Sequence, residues 1–229
     1  MLRINPSVYD NLQSHIQSWQ NDKIVVIHNL LDTDDADMLN HYLMNVSDER
    51  WQHSIHPYID NWYTFDNSPE NHHHIINGAI TARAAYERGE FSYHFRRFEG
   101  YQDDGIKFKE FLLSSQFTNL MMQITGVEVK SLVSVFASMY QSWNYLSVHT
   151  DTSRGKIAFV MGLSKNWQES YGGNFELLHD NYSAIKQTVV PNFNTFYFFS
   201  VAEGGKPHRV TKVNDVKDKR ISFSGWLES

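Results

Sequence analysis

Four residues in the second half of this chain have the types and spacing for metal and anion chemistry. His149-Thr150-Asp151 is a His-x-Asp pair, His208 follows a run of strand-like sequence, and Arg220 comes after it. On an extended strand, residues i and i+2 point to the same side, about 6–7 Å apart at Cα. His149 and Asp151 can therefore converge on one cation, and an imidazole with a carboxylate suits Fe(II), Mn(II) or Zn. The pair alone says little. With 12 histidines in 229 residues, a His-x-Asp is expected about once by chance, and a histidine beside an aspartate-capped turn is the plainer reading. His208 supplies a third ligand, and two histidines with a carboxylate on one face form a facial triad that leaves positions open. The Arg220 guanidinium offers a planar fork for a carboxylate. Ser222 and Ser224 share its face at period two and can add a hydroxyl contact.

The elements around these residues decide whether they meet. From residue 131 the sequence reads as eight short strands: 131–140, 145–149, 156–163, 174–178, 185–190, 194–200, 207–213 and 219–227. Turn-rich links such as TSRG, ESYGGN and EGGKP separate them, with no helix between. Eight strands in two facing sheets make a jelly roll. In that fold the end of the second strand and the start of the seventh can lie side by side at the barrel mouth, which is where His149–Asp151 and His208 fall.

The first half reads differently. Val8, Leu12, Ile16 and Trp19 form a helical stripe, and 23–28 reads as a buried strand. Thr33 is a candidate N-cap, followed by Asp34 and Asp35 in the first turn of a second helix. Residues 48–75 have no clean period and read as a loop, lid or edge hairpin. His72-His73-His74 reads there as solvated loop, since three consecutive side chains cannot face one site. Residues 79–88 read as a helix ending at Gly89, a natural C′ residue. FSYHFRRFEGY (91–101) is either substrate-facing or amphipathic structure with arginine stems packed on rings. Ile106–Ile124 reads as one or two helices, with Ser114 or Ser115 capping the second. The expected architecture is α+β: a double-stranded β-helix (jelly-roll, cupin-like) core over 131–229, with mainly helical support and a candidate lid from 1–130, all in one domain over 1–229.

Composition narrows the function classes. The net charge is -6, so a basic nucleic-acid surface is not indicated. There is no cysteine, which excludes disulfides and a thiol nucleophile. The N-terminal segment has no apolar targeting core and no stretch approaches the roughly 20 apolar residues of a membrane span. Cytoplasm is the default location, with no membrane and no nucleic-acid partner expected.

The order of these motifs resembles the Fe(II)/2-oxoglutarate-dependent dioxygenases, and within them the prolyl-4-hydroxylase-like branch, which includes enzymes acting on a ribosomal-protein proline. Tyr140-Gln-Ser-Trp-Asn-Tyr-Leu-Ser-Val-His149-Thr-Asp151 is similar to that branch's Tyr-x-x-Gly-Asp-Phe-Leu-x-x-His-x-Asp. Gly172-Gly173-Asn174-Phe175, Pro207-His208-Arg209-Val210 and Arg220-Ile-Ser-Phe-Ser-Gly-Trp226 follow in the family order. The resemblance covers most of 138–227 and gives no motif before 130.

The resemblance implies that His149, Asp151 and His208 hold Fe(II). It also implies that Arg220, aided by Ser222 or Ser224, holds the far carboxylate of 2-oxoglutarate, and that Tyr140 contacts that co-substrate. O2 would be the oxidant and ascorbate a supporting reductant. Asp151 stands where the related halogenases carry a small residue, which favours hydroxylation. Two positions depart from the pattern: Trp143 replaces a glycine, and Gly162 stands where many relatives carry a tyrosine touching the far carboxylate. A small-molecule or peptide substrate is expected, such as a prolyl residue, a free amino acid or a metabolite, with Trp143, Asn144, Arg154 and the segment around Arg96 and Arg97 as candidate contacts. Trp167 and Trp226 read as core aromatics. The alternative is a non-catalytic jelly-roll protein that binds a metal or ligand.

Overall fold

The computed structural model describes residues 1–57, 63–99, 104–151, 154–202 and 205–229. Parts of the expected 48–75 loop (58–62), Gly100-Tyr101 of the aromatic-basic segment, and pieces of two inter-strand links (152–153 and 203–204) lie outside the described residues.

The chain begins with α1 (Ser7–Asp10), α2 (Leu12–Asp22), β1 (Ile24–His28) and α3 (Thr33–Asn45). The N-cap of α3 is Asp32 rather than Thr33, and Asp34 and Asp35 occupy its first turn. Then come β2 (Gln52–His56), β3 (Tyr63–Phe65), α4 (His72–Glu87), β4 (Tyr93–Phe98), α5 (Asp104–Leu112) and α6 (Ser115–Thr125). The three histidines are the first turn of α4, not loop: His74 stacks on Phe65 with ring centroids 5.5 Å apart. Polar residues hide the period there, and the buried face of α4 (Gly78, Ala82, Ala85) sets the helix through packing. Gly89 follows the helix with φ +74°, the left-handed conformation a C′ residue needs. The Ser114 side chain caps α6, accepting from the Phe117 backbone N–H.

The C-terminal strands are β5 (Ser131–Tyr140), β6 (Tyr145–His149), β7 (Ile157–Gly162), β8 (Phe175–Leu178), β9 (Ile185–Val189), β10 (Thr195–Ser200), β11 (His208–Val210) and β12 (Arg220–Glu228). They match the eight expected segments. The sheet runs β1-β10-β7-β12-β5-β4-β6-β11-β8-β9, and every pairing is antiparallel. It curls into the nearly closed barrel of a jelly roll. The first half thus supplies strands as well as helices. In particular, β4 joins the two sides of the roll: Arg96 to Phe98 pair with β5, while Tyr93 and His94 pair with β6.

Period-two alternation assigns the two faces. On β12, Ile221 and Phe223 turn outward into one apolar core with Phe159, Phe196 and the helix residues Leu39, Phe108 and Phe117. Arg220, Ser224 and Trp226 turn inward and line a cavity of 570 Å³ inside the roll. The helices therefore cover one face of the sheet, and the other is left for polar side chains. Among the described residues, no helix is long and apolar enough to cross a membrane.

Phe108 is fully buried and stacks on Phe223 at 4.7 Å, with Phe159 at 6.4 Å, so it joins α5 to the two strands behind the cavity. Phe108→Ala is expected to lower unfolding free energy by about 3–5 kcal/mol, measured by urea denaturation.

Candidate metal centre

Antiparallel register brings the histidines together: His208 at the start of β11 is the direct partner of His149 at the end of β6. Their rings are 4.2 Å apart at the centroids. Asp151 lies just beyond β6. His149 Nε2 is 3.5 Å from Asp151 Oδ1, and His208 Nε2 is 3.5 Å from Asp151 Oδ2. The three ligand atoms lie within 4.8 Å of one another.

The second nitrogen of each ring fixes what the first can do. His149 Nδ1 is 2.9 Å from the Ser147 carbonyl and His208 Nδ1 is 2.7 Å from the Lys206 carbonyl. A carbonyl only accepts, so each Nδ1 donates its proton there, and in the metal-binding tautomer each Nε2 presents its lone pair on the Asp151 side. Burial, followed by the nearby His149, pushes His208 down to about 4, which keeps it neutral. Burial alone would raise Asp151. The contact with His149 and the hydrogen bond from Trp226 outweigh it and hold the carboxyl at about 2, so Asp151 is a carboxylate. Two lone pairs and a buried carboxylate (Asp151 is 8% exposed) are an acceptor-only set, and that donor chemistry fits a divalent cation.

Arg220 lies deeper in the roll. It is 2% exposed and makes no ion pair among the described residues. Its guanidinium lies over the Tyr140 ring at 4.6 Å, Nη2 donates to the Tyr197 hydroxyl at 3.3 Å, and Nε has no partner. A buried cation without a counter-charge is costly, and a ligand carboxylate would satisfy it. Burial pushes the Tyr140 and Tyr197 hydroxyls up, so both stay neutral donors.

The Gly172-Gly173 turn makes room for this arginine. A Cβ on Gly173 would come 3.0 Å from Arg220 Cδ, and one on Gly172 would strike the Lys212 carbonyl at 2.1 Å.

The expected site residues separate on inspection. Ser224 lines the cavity. Ser222 is fully buried with its hydroxyl 2.8 Å from that of Ser138, and Ser138 is the one of the two on the cavity wall. Trp143 is on the surface, between Arg83 and Lys212 at 4.1 Å each. Asn144 braces its own turn, accepting from the Gln141 N–H through Oδ1 and from Val213 N–H through its carbonyl. Both lie away from the cavity because the φ of +71° at Trp143 turns the β5–β6 link outward. Arg154 lines the cavity, as does Arg97, while Arg96 points to the other face of β4 and pairs with Asp48 at 2.6 Å.

Sequence reasoning missed two residues. Trp226 is a cavity residue rather than plain core, and its Nε1 donates to Asp151 Oδ2 at 3.0 Å. Tyr197 gives Arg220 the phenol contact that Gly162 cannot. Its signal was a single hydroxyl within the run Phe196-Tyr197-Phe198-Phe199. Trp167 is core, with its N–H donated to the Gly172 carbonyl.

Known proteins resemble this chain in sequence and in fold. Residues 135–228 match the family described as the 2OG-Fe(II) oxygenase superfamily. A prolyl 3-hydroxylase OGFOD1 from Xenopus laevis is 30% identical over 143 residues, covering 59% of this chain and 28% of that protein. The Mus musculus protein of the same name is 26% identical over 121 residues, covering 51% of this chain and 22% of that protein. The matched stretch spans less than a third of either relative. Among solved structures, a Pseudomonas putida prolyl-4-hydroxylase is similar with a TM-score of 0.62 at 14% identity, covering 95% of this chain and 98% of that one. A Trichoplax adhaerens prolyl hydroxylase, in complex with a hypoxia inducible factor oxygen degradation domain peptide fragment, gives 0.62 at 13% identity, covering 97% and 92%. At such identities the structural likeness establishes the fold.

The Trp226 hydrogen bond is the support of the metal-facing carboxylate that a single substitution can remove without emptying the ring's place. Trp226→Phe is expected to weaken Mn(II) binding about 10–100-fold, measured by isothermal titration of the purified chain.

Proposed function

We propose that this chain, in which residues 135–228 carry a 2OG-Fe(II) oxygenase domain, hydroxylates a prolyl C–H in a peptide or small-molecule substrate. 2-Oxoglutarate and O2 are consumed, and succinate and CO2 are released. The observation that carries this reading is the pairing inside one cavity of an acceptor-only triad with a buried guanidinium that has no acidic partner among the described residues. One half suits a divalent metal and the other a dicarboxylate. The names of the curated relatives support a prolyl substrate.

The residues have distinct tasks. His149, Asp151 and His208 would hold Fe(II), with each imidazole oriented by a backbone carbonyl and Asp151 by Trp226. Arg220 would take the far carboxylate of 2-oxoglutarate as a charge-assisted fork. Tyr140 supports the guanidinium from its face and Tyr197 from its edge. Ser224 and Ser138 offer hydroxyls along the same wall. When bound, iron and 2-oxoglutarate supply the oxidising power: decarboxylation places one oxygen atom of O2 in succinate and the other in the substrate C–OH. The rings of Phe95, Phe136, Phe175 and Phe199 on the cavity wall exclude water from that chemistry.

Succinate release with Fe(II), ascorbate and a panel of prolyl peptides and free amino acids tests the reading, and stimulation by a prolyl compound is the expected result. His208→Ala is expected to abolish turnover, and full activity in that variant would remove His208 from the metal. Arg220→Ala is expected to raise the KM for 2-oxoglutarate by about 30-fold or more while Mn(II) affinity stays unchanged. An unaltered KM would remove Arg220 from its role.

A further inference from the structure

Two aromatic side chains at the mouth of the cavity stay in water. Phe91 is 37% exposed and Tyr182 is 56% exposed, and both line the cavity that contains the metal triad. The other phenylalanine and tyrosine rings of that wall are buried. Aromatic surface left open at the rim of a pocket is surface that a ligand can cover.

The two rings stand on opposite sides of the metal histidines. Four strands run side by side there in the order β4-β6-β11-β8. Antiparallel register brings the start of β4, the end of β6, the start of β11 and the end of β8 to one end of the roll: Tyr93 pairs with Leu146, His149 with His208, and His208 with Leu177. Phe91 lies just before β4, with its ring 6.0 Å from the His149 ring. Tyr182 lies in the turn just after β8. Asp180 of that turn is ion-paired at 3.0 Å with Lys206, two residues before His208. Three strand spacings separate β4 from β8, about 14 Å along the sheet, and the two ring-bearing side chains narrow that gap from both sides.

Tyr182 holds its place at a cost. Its φ is +61°, in the left-handed region, where a bulky side chain crowds its own backbone. Asparagine tolerates that conformation better, and Asn181 is the residue next to it. The turn still fixes the conformation on Tyr182. The Tyr182 N–H donates to the His179 carbonyl at 2.8 Å, the His179 N–H donates to the Ala184 carbonyl at 3.0 Å, and the Ser183 N–H and hydroxyl both donate to Asn181 Oδ1. A ring that is more than half exposed gives the fold little burial in return. Strain that packing does not require points to function.

We propose that Phe91 and Tyr182 form an aromatic clamp that determines substrate specificity, gripping the pyrrolidine ring from both sides while its C–H faces the metal. This deepens the prolyl hydroxylation reading and rests on it. A pyrrolidine ring offers apolar C–H faces to both π surfaces and needs no charged partner. An acyclic residue such as alanine covers less of either ring.

The test is peptide binding to the full chain loaded with Zn(II) and 2-oxoglutarate, which does not turn over, read by NMR titration. The probes are acetyl-Gly-Pro-Gly-amide and acetyl-Gly-Ala-Gly-amide. The prolyl probe is expected to bind about fivefold more tightly or better. Phe91→Ala and Tyr182→Ala are each expected to weaken it about five- to tenfold, with 2-oxoglutarate affinity held within about twofold. Tyr182→Phe keeps the ring and is expected to keep the affinity. Tyr182→Gly removes the ring and the strain together: peptide affinity should fall as in Tyr182→Ala, while the unfolding midpoint rises by about 2–4 °C. A ring retained only for packing would lower that midpoint. Equal binding of the two probes, no binding of the prolyl probe, unchanged affinity in both alanine variants, or a lowered midpoint in Tyr182→Gly overturns the clamp. Succinate release with Fe(II) is read separately. Turnover of prolyl compounds that is indifferent to both rings sinks the clamp alone, and prolyl binding without turnover of any prolyl compound sinks the broader reading instead.

Discussion

The pairing of β6 with β11 places His208 directly opposite His149, and the rest of the site depends on that register. A slip of one residue would turn one imidazole to the other face of the sheet. Each ring is then locked by a carbonyl two residues earlier on its own strand side, Ser147 for His149 and Lys206 for His208. The backbone therefore sets both ring orientation and tautomer, and Asp151 needs only the short turn after β6 to reach the remaining corner. Neither strand could hold its place alone, since β11 has only three residues. It is held between β6 and β8, and β4 ties that side of the roll to the long β5–β12 pair.

Charge placement inside the roll follows from the same alternation. Outward residues of β12 join the phenylalanine core beneath the helices, so its inward residues are free to be polar. A guanidinium without a carboxylate partner in such a place costs stability of its own. Stacking on Tyr140 and one hydrogen bond to Tyr197 offset only part of that cost. The apo protein thus holds an arginine in a state that a dicarboxylate improves, and binding is favoured because the alternative is a poorly compensated charge.

Much of this was legible from residue order. Strands separated by turn-rich links gave the jelly roll, because alternation and turn chemistry are local. His149, Asp151 and His208 could be brought together only by assuming that topology. Less legible were features set by long-range packing. β4 reads as an ambiguous aromatic and basic stretch, and nothing local says that it will be the strand that joins the two sides. Trp226 looks like any buried aromatic at a strand end until the turn after His149 brings Asp151 to its N–H. Trp143 and Asn144 were attractive by proximity in sequence, yet a single left-handed residue turns that link away from the cavity.

Gly162 shows how one local constraint moves a function to a neighbour. A Cβ there would lie 2.6 Å from the Asn192 carbonyl, so no tyrosine can stand at that position without displacing backbone. Gly162 pairs with Thr195 across β7 and β10, and with Ser222 across β7 and β12. On the same inward face, two residues along β10 from Thr195, comes Tyr197, a diagonal neighbour of Gly162 within reach of long side chains. Its hydroxyl arrives at Arg220 from the next strand instead. What the anion site requires is a phenol at the edge of the guanidinium. The sheet supplies that from either strand, and the close approach of the Pro191–Asn192 turn over Gly162 decides which.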